Sequence, residues 1–460
     1  MECREVRNDR SLTRRSMFRR SARLSAGLGI GIGATSLAAC GELGASGPGT
    51  RSAAKITGTL TYWPEGGENN ASYQAWVARI TDFQKAHPEA KVEMTVTESR
   101  DTKLVTAVAA GTPPDVSVHD RYTIFGASQR GIMQDIQKYA KAAGITGEDQ
   151  QPWCWEEVFR EGKLWGLPYS TDTRMLYVNA EHLKKAGIPL TAPKTLDEFD
   201  NTMRRLNVGT PGSWQRIGHI PVGNWHNWRL FGWGWIFGGD WYDAKANRVT
   251  MDHAKNIAAL EWEVARTREL GGYEALDAFR KGQPKSGMMD LFKTGVVSTA
   301  INSTSQLIGV FAAKDLDWTV WPVPPAQGVS RSHTWSGGFA NVLPVGVKNP
   351  EASFQLAKFL SDEEFQKVQN RTGEGRLPTI KSAAKDPYWN TVDPRIKQFL
   401  EQLPNSHIRP PIVQIAIMNR ELDGAEGAET LALKGQKGAR VALQDANQRV
   451  NDAIKEGRAD

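Results

Sequence analysis

The sequence contains little cysteine and none of the motifs that mark common catalytic and nucleotide sites. Only three of its 460 residues are cysteine, which is too few for an internal disulfide framework. It holds no His-Glu-x-x-His, Cys-x-x-Cys, Gly-x-Ser-x-Gly or Gly-x-x-x-x-Gly-Lys pattern. We therefore expect no catalytic residues, no metal site, no cofactor and no enzymatic activity.

Long apolar runs are also lacking, and the one candidate lies near the start of the chain. Residues 24–39 form a run of 16 mostly apolar residues, which is too short to favour a membrane-spanning helix. The run follows the twin-arginine pairs Arg14-Arg15 and Arg19-Arg20 and ends in Leu37-Ala38-Ala39-Cys40. A basic leader, an apolar centre and small residues before a processing point are typical of an export signal, so residues 1–39 are predicted to be a signal peptide. The alternative is a signal anchor in which Cys40 is an ordinary thiol.

An excess of positive charge is confined to this leader. It carries eight arginines and three acidic residues, a net charge of +5 out of +6 for the whole chain. The rest of the chain is left with a net charge of +1. No basic footprint for nucleic acid remains, so a nucleic-acid partner is not expected.

Beyond the leader, the chain has the pattern of a two-domain α/β protein. Residues 40–55 have no periodic apolar pattern and are predicted to form a flexible tether. From Ile56 onwards, strand-like segments alternate with amphipathic helical segments, which predicts mostly parallel sheets. The chain is too long for one compact core, so two domains are expected.

The predicted strands indicate where a ligand would bind. In such sheets ligands lie beyond the carboxyl ends of the strands. This rule selects Trp63 and Glu65 after the first strand, and Asp120 with Arg121 after the third. The alternatives are a solvated turn for Glu65 and a surface ion pair for Asp120 and Arg121.

A second group of candidates lies where the chain would cross between the domains. Asp172 and Arg174 sit in a polar centre between two β-rich segments, at the expected floor of an interdomain cleft. The alternative for this pair is a hinge salt bridge. Further candidates end a returning strand or occupy glycine-rich turns, one of which would present backbone N–H groups to a ligand: Asn302, Trp335 with Gly337, and Arg376.

Tryptophan is abundant, with 16 residues in the chain. Trp225, Trp228 and Trp235 lie in a glycine-interrupted cluster, which favours exposure of some rings at a cleft wall. Aromatic planes cover the apolar face of a sugar ring, while carboxylates, amides and arginines bind its hydroxyl groups. The alternative is that these tryptophans fill the core of the second domain.

In order and spacing, several short segments resemble the extracellular solute-binding proteins of ABC importers, specifically the sugar-binding family. The segments that carry the resemblance are Gly111-Thr112-Pro113-Pro114-Asp115-Val116, Gly162-Lys163-Leu164-Trp165-Gly166-Leu167-Pro168-Tyr169, Leu176-Tyr177-Val178-Asn179, Pro193-Lys194-Thr195-Leu196-Asp197-Glu198-Phe199, Trp335-Ser336-Gly337-Gly338 and Lys348-Asn349-Pro350-Glu351-Ala352. Leu37-Ala38-Ala39-Cys40 likewise resembles the bacterial lipobox, in which the cysteine is lipidated.

The resemblance implies a two-lobe fold of the periplasmic-binding-protein type II class, with crossover strands between the lobes. The expected lobes are residues 56–170 with 296–343, and residues 171–295 with 344–460. The implied protein is a monomeric receptor on the outer face of a cell membrane, anchored by lipid on Cys40, that captures a carbohydrate and passes it to an ABC permease. Two alternatives stay open: an exported carbohydrate-active enzyme with paired carboxylates, and the same fold binding a polyol or a glycerol phosphate derivative.

Overall fold

A computed structural model describes residues 56–459 of the chain. The predicted signal peptide, the lipidation site at Cys40 and the tether lie outside the described residues. Within the described part, no helix combines the length and apolar character needed to cross a bilayer.

The described residues form alternating strands and helices. The strands are β1 (Gly58–Trp63), β2 (Ala90–Met94), β3 (Val116–Asp120), β4 (Phe159–Arg160), β5 (Lys163–Leu164), β6 (Leu167–Thr171), β7 (Arg174–Asn179), β8 (Val208–Thr210), β9 (Ser213–Arg216), β10 (Tyr242–Asp243), β11 (Arg248–Val249), β12 (Thr299–Ser303), β13 (Trp318–Trp321), β14 (Thr334–Trp335), β15 (Gly338–Val342) and β16 (Ser406–His407). The helices are α1 (Ala71–Ala86), α2 (Arg100–Ala109), α3 (Arg121–Gln129), α4 (Gln137–Ala142), α5 (Pro152–Glu156), α6 (Ala180–Lys185), α7 (Leu196–Leu206), α8 (Arg229–Ile236), α9 (Ala254–Glu269), α10 (Tyr273–Lys281), α11 (Met288–Lys293), α12 (Leu307–Ala312), α13 (Pro350–Phe359), α14 (Glu363–Asn370), α15 (Pro394–Glu401), α16 (Ile415–Asp423), α17 (Ala428–Leu433) and α18 (Ala439–Lys455).

Local sequence signals set several of these elements. Helix α7 begins at the predicted capping residue Thr195, whose side chain accepts a hydrogen bond of 3.2 Å from the Glu198 N–H. Its apolar stripe is buried, as the spacing of Phe199 and Met203 indicates. The N-cap of α13 is Asn349, and Pro350 occupies its first turn, where a missing N–H costs nothing.

The first sheet has the order β2-β1-β3-β15-β6. Strand β1 pairs in parallel with β2 and β3, whereas β15 runs antiparallel to both β3 and β6. The Tyr62 hydroxyl donates to the Asn341 amide oxygen at 3.1 Å, which joins the early strand β1 to the late strand β15. The carboxyl end of β3 lies beside the start of β15, where Asp120 is opposite Phe339.

The second sheet, β12-β7-β13, is antiparallel throughout, which differs from the predicted parallel pairing. All six residues of its central strand β7 are buried. A strand covered on both faces has the same continuous apolar pattern in either direction, so the sequence did not distinguish the two arrangements.

The strands and helices pack into two hydrophobic cores. The first contains residues from Ile56 to Tyr169 together with residues 340–365, and the second contains residues from Met175 to Trp335 together with residues 377–453. This division differs from the predicted lobes, because β12 and β13 pair with β7 and only β15 returns to the first sheet. Helices α13 and α14 cover the first sheet as well. Trp76 and Phe365, for example, stack with ring centroids 4.1 Å apart.

Three passages of chain join the two cores. One is the short link between β6 and β7, a second runs from β14 into β15, and a third is the loop 371–377 after α14. The first two lie side by side, since the hydroxyl oxygens of Thr171 and Ser336 are 2.7 Å apart. Side chains near these passages are placed between the two cores.

Candidate functional site

Eight charged side chains meet beside the three passages, and we refer to them as the charged cluster. Six of them were predicted from the sequence as ligand contacts, and two were not. The members are Glu65, Asp120, Arg121, Asp172, Arg174 and Arg376, with Glu157 and Arg409 in addition.

Arg121 is a structural member of this cluster. Its side chain is fully buried, Nε donates to Glu157 Oε2 at 2.8 Å, and Nη2 donates to the Gly337 carbonyl at 2.6 Å. Nη1 donates to the Ser170 carbonyl. Burial raises the pKa of Glu157 to about 7, against the opposing effect of the Arg121 charge. Arg121 thus joins β6 to the Gly337 turn, and its buried donors are directed at the protein.

Asp172 and Arg174 form a hydrogen-bonded ion pair at the first passage. Oδ1 of Asp172 also accepts a hydrogen bond of 2.7 Å from the Gly337 N–H. The sequence predicted that this N–H would face a ligand, but in this structure it is bound to the protein. Nη1 of Arg174 donates to the Trp335 carbonyl at 3.1 Å, and its guanidinium carbon lies 4.3 Å from the centroid of the Trp335 ring. Burial lowers the pKa of Arg174, and Asp172 opposes that change.

Glu65 and Arg376 form a second ion pair, between the end of β1 and the loop that follows α14. The Tyr169 hydroxyl donates to Glu65 Oε2 at 3.1 Å. Burial alone would lower the pKa of Arg376, but the nearby Glu65 carboxylate raises it above its usual value. The two predicted residues are therefore brought together from positions 311 residues apart in sequence.

Asp120 and Arg409 are the members without a hydrogen-bonded partner. Among residues 56–459, neither the Asp120 carboxylate nor the Arg409 guanidinium has a side-chain hydrogen bond or ion pair, and Arg409 Nε is buried. Burial raises the pKa of Asp120 to about 6, although Arg409 and Arg121 lower it. Arg409 lies in an irregular segment before two prolines, and no sequence motif pointed to it.

Asn302 connects the second core to this cluster. Its Oδ1 accepts from Asn227 Nδ2 at 3.3 Å, while Asn227 Oδ1 accepts from Arg174 Nη2 at 3.4 Å. Asn302 is the penultimate residue of β12, close to the strand end at which the sequence placed it. Amide groups of the second core therefore face the ion pair of the first passage.

The predicted tryptophans do not all join the cluster. Trp335 does, but Trp228 is fully buried in the second core. Trp225 lies against Tyr273 with ring centroids 5.3 Å apart, and the Arg280 guanidinium lies 4.6 Å from its ring. Trp63 is partly buried against the first core. For Trp228 the structure fits the alternative of a core residue. Its ring packs directly against α8 at Gly232, where any Cβ atom would overlap the ring.

Trp235 borders a cavity of about 310 Å³ next to the second passage. Its ring stacks on His407 with centroids 5.0 Å apart, and burial lowers the pKa of His407 to about 4. Trp153 also borders the cavity, and its Nε1 donates to Ser336 Oγ at 3.1 Å. The cavity thus lies between helix α5 and the second core, and its aromatic and carboxylate lining includes Trp241, Tyr242, Glu156 and Asp240.

Groups of three or more metal-ligating side chains do not occur among residues 56–459. The chemistry of the cluster is that of hydrogen bonding: carboxylates accept hydrogen bonds from hydroxyl groups, and guanidinium and amide groups donate them. The Trp335 ring is itself buried against the guanidinium groups of Arg174 and Arg409.

Comparisons with known proteins identify what this arrangement resembles. The sequence profile of bacterial extracellular solute-binding proteins matches residues 64–367. The maltooligosaccharide ABC transporter solute-binding lipoprotein of Streptococcus pneumoniae is 23% identical over 436 residues, which cover 91% of this chain and 94% of that protein.

Solved structures share the architecture. The structure of CpMnBP1 with mannobiose bound has a TM-score of 0.72 at 22% identity and covers 85% of this chain and 99% of that one. The GacH receptor of Streptomyces glaucescens, solved without ligand and with acarbose, has a TM-score of 0.69 at 22% identity and covers 87% of this chain and 99% of that one. The predicted two-lobe α/β fold is thereby confirmed.

Proposed function

The chain belongs to the family of bacterial extracellular solute-binding proteins, and from this we propose that it binds a carbohydrate outside the cell and delivers it to an ABC permease. The family profile covers residues 64–367, and the S. pneumoniae relative is a maltooligosaccharide-binding lipoprotein. The proposed receptor is a monomer.

The observation that carries this proposal is the convergence of sugar-binding groups from both cores. Glu65 follows β1 and Asp120 is the last residue of β3 in the first sheet. Arg174 and Asn302 belong to strands of the second sheet, and the Trp335 ring lies next to Arg174. Carboxylates, amides and guanidinium groups match the polar edge of a sugar ring. We assign the ligand to this place, between the cores.

The proposed mechanism is closure of the two cores around the ligand. A ligand that contacts groups of both cores favours the closed arrangement by as much as its affinity differs between the two states. We place the hinge at the side-by-side passages of Thr171 and Ser336, because both cross between the cores at one place and a few residues there can take up the change in backbone angles. The permease then recognises the closed form.

We also propose that lipid on Cys40 holds the receptor at the outer face of the membrane. The support is the Leu37-Ala38-Ala39-Cys40 segment and the lipoprotein among the relatives. In bacterial cells, the Cys40→Ser variant should appear in the soluble fraction, whereas the unchanged protein stays with membranes. Equal membrane association of the two proteins would contradict the anchor.

The enzymatic alternative receives no support from the comparisons, since the relatives and structural neighbours are binding proteins. A glycoside hydrolase needs two carboxyl groups placed on either side of the scissile bond. Here the Asp172 and Glu65 carboxylates are both hydrogen-bonded to arginines. Recovery of an incubated oligosaccharide in unchanged form would agree with a receptor.

Isothermal titration of the purified protein against mono- and oligosaccharides tests the proposal. In the Asp120→Asn variant, loss of a charged hydrogen bond to a sugar hydroxyl should weaken the affinity by about tenfold or more. The same variant should be more stable above pH 7 by about 1 kcal/mol, because burial already disfavours the Asp120 charge. Affinity and stability therefore change in opposite directions, which a simple loss of folding would not produce.

Asp82→Asn on the exposed face of α1 is the matched control, and it should change neither quantity. A protein that ignores every carbohydrate but responds to peptides or metal ions would refute the sugar assignment. An Asp120→Asn variant with unchanged sugar affinity would refute the assigned site but not the function.

A further inference from the structure

Two glutamates of the second core lie outside the charged cluster, and the proposed binding mechanism does not use them. Glu263 is on α9 and Glu429 is on α17, and both side chains are fully buried. Their carboxyl groups interact with each other, and in the described part of the chain neither has a lysine or arginine as an ion-pair partner. Two carboxyl groups in one buried site cannot both ionise without a large cost, so the pair keeps a proton.

The charged groups around the pair favour this protonated form. Burial and Glu263 raise the pKa of Glu429 most, and Asp423 at the end of α16 raises it further. The Asp423 carboxylate is itself paired with Arg229 at the start of α8, at 2.6 Å. On α10, burial and to a smaller extent the Glu429 charge raise the pKa of Tyr273. A second negative charge on the pair is therefore disfavoured by its surroundings.

Each carboxyl group of the pair accepts a hydrogen bond from the same short turn, Gly223–Trp225. Glu263 Oε1 accepts the Gly223 N–H at 2.8 Å, and Glu429 Oε1 accepts the Asn224 N–H at 3.0 Å. These two N–H groups belong to consecutive residues, so the spacing of the carboxyl groups matches the spacing of neighbouring peptide groups. If the carboxyl groups moved apart, the turn would be distorted or would lose one of its two hydrogen bonds.

The turn is connected directly to the side chains that we assign to the ligand. The Gly223 carbonyl accepts the His226 N–H at 3.1 Å, and the His226 ring accepts a backbone N–H of β12 at 3.1 Å. Asn227 comes next, and its side chain contacts Arg174 at 3.4 Å and Asn302 at 3.3 Å. A displacement of Gly223 is therefore passed to Asn227 within one turn of backbone.

We infer that Glu263 and Glu429 are positioning residues for ligand binding: the protonated pair holds the turn so that Asn227 faces the sugar between the two cores. The inference rests on the proposed function and adds a proton dependence to it. Loss of the shared proton leaves two negative charges in a buried site, where they repel each other and move apart. The turn then shifts and Asn227 is displaced, so the protein binds the sugar less tightly in alkaline solution.

The pH dependence of sugar affinity tests this inference. Glucose, maltose, maltotriose and mannobiose are titrated into the purified protein, and the sugar that binds most tightly is measured at pH 6 and pH 8.5. The affinity of the unchanged protein should be lower at pH 8.5 by about threefold to tenfold. Glu429→Gln keeps an acceptor for the Asn224 N–H and removes the charge, so its affinity should change by less than about twofold.

Other groups titrate in the same interval, so the quantity compared is the difference between the two pH profiles. Burial raises the pKa of Asp120 to about 6 and that of Glu157 to about 7, and both residues are present in both proteins. Glu261→Gln is the matched control. Glu261 lies on the same helix α9 with its side chain exposed, and its substitution should leave the affinity and the pH profile unchanged.

A double-mutant cycle separates positioning from a purely structural role. Glu429→Leu removes the acceptor for the Asn224 N–H, so it should weaken sugar binding at both pH values. In an Asn227→Ala background the same substitution should hardly change the affinity further, although it should destabilise the fold as before. If Glu429→Leu does not fold, the pH profiles of Glu429→Gln and the unchanged protein still decide the question.

Two results would overturn the inference. Identical pH profiles for the unchanged protein and Glu429→Gln would show that the shared proton does not act on the ligand site. An undiminished effect of Glu429→Leu on affinity in the Asn227→Ala background would show that the pair does not act through Asn227. Both results leave sugar binding intact and count against the inference alone. If no carbohydrate binds at either pH, the proposed function fails, and the inference fails with it.

Discussion

The guanidinium group of Arg121 donates a hydrogen bond of 2.8 Å to the carboxylate of Glu157, and both side chains are almost completely buried. Arg121 was predicted as a ligand contact because it follows the third strand. The structure gives its donors to Glu157, Ser170 and Gly337. The side chain therefore holds the passages in place beside the ligand groups.

Removal of the Arg121 charge should destabilise the protein strongly. In Arg121→Met, the buried Glu157 carboxylate and two backbone carbonyls lose their donors, at a cost of about 3–5 kcal/mol in the free energy of unfolding. Urea denaturation measures this change. Arg204→Met, which breaks the exposed pair with Glu269, should cost less than about 1 kcal/mol. Equal effects of the two substitutions would contradict the structural role.

A buried pair of carboxyl groups predicts a pH dependence of stability. Glu263 Oε1 accepts the Gly223 N–H at 2.8 Å, Glu429 Oε1 accepts the Asn224 N–H at 3.0 Å, and the two carboxyl groups interact with each other. Burial raises the pKa of Glu263 from 4.5 to about 7, and burial together with the Glu263 charge raises that of Glu429 well above its usual value. Raised folded-state pKa values mean that the folded protein binds more protons than the unfolded chain across this interval. The contribution of the pair is present at low pH and is lost as pH rises from about 4.5 to about 7 or above.

Glu429→Gln removes one of these charges and keeps a hydrogen-bonding side chain of the same shape. The variant should match the unchanged protein at pH 5 and exceed its free energy of unfolding by about 1–3 kcal/mol at pH 8. Because other groups titrate in the same range, the quantity compared is the difference between the two proteins. Glu98→Gln on the surface should show no such difference. A constant offset for Glu429→Gln at both pH values would argue against a protonated pair.

Two glycines in the loop after α14 allow the cost of backbone strain to be measured apart from the cost of a steric overlap. Gly373 and Gly375 both have positive φ, at 81° and 72°. A Cβ at Gly375 would overlap the Thr304 carbonyl oxygen, whereas a Cβ at Gly373 would meet no atom within 4 Å. Gly373→Ala should therefore cost about 1–2 kcal/mol through backbone strain alone. Gly375→Ala should cost more and should also weaken sugar binding, since Arg376 and its partner Glu65 would be displaced.

Thermal unfolding and sugar titration of the two alanine variants measure these effects. A Gly375→Ala protein that matches Gly373→Ala in both stability and affinity would show that the approach of this loop to Thr304 is not required.

Much of the candidate site was predictable from three local signals: the ends of predicted strands for Glu65 and Asp120, the polar centre of the crossover for Asp172 and Arg174, and a glycine-rich turn for Arg376. Glu65, Asp120, Asp172, Arg174 and Arg376 meet in one cluster, although whether they contact a ligand stays a prediction. The tryptophans were harder to assign. Trp225, Trp228 and Trp235 have similar local sequence, but one lies against Tyr273, one is enclosed in the core and one borders a cavity.

By itself, the sequence determined the α/β class, the family and the positions of many elements, because strand alternation, helix periodicity and capping residues act over a few neighbouring positions. The tertiary structure alone decided the direction of the second sheet and the return of β15 to the first, since strand pairing depends on contacts between distant segments. It also decided which arginines are paired. Arg409 has no local motif, and only the tertiary structure places its guanidinium group against the Tyr122 and Trp335 rings and near the Asp120 carboxylate.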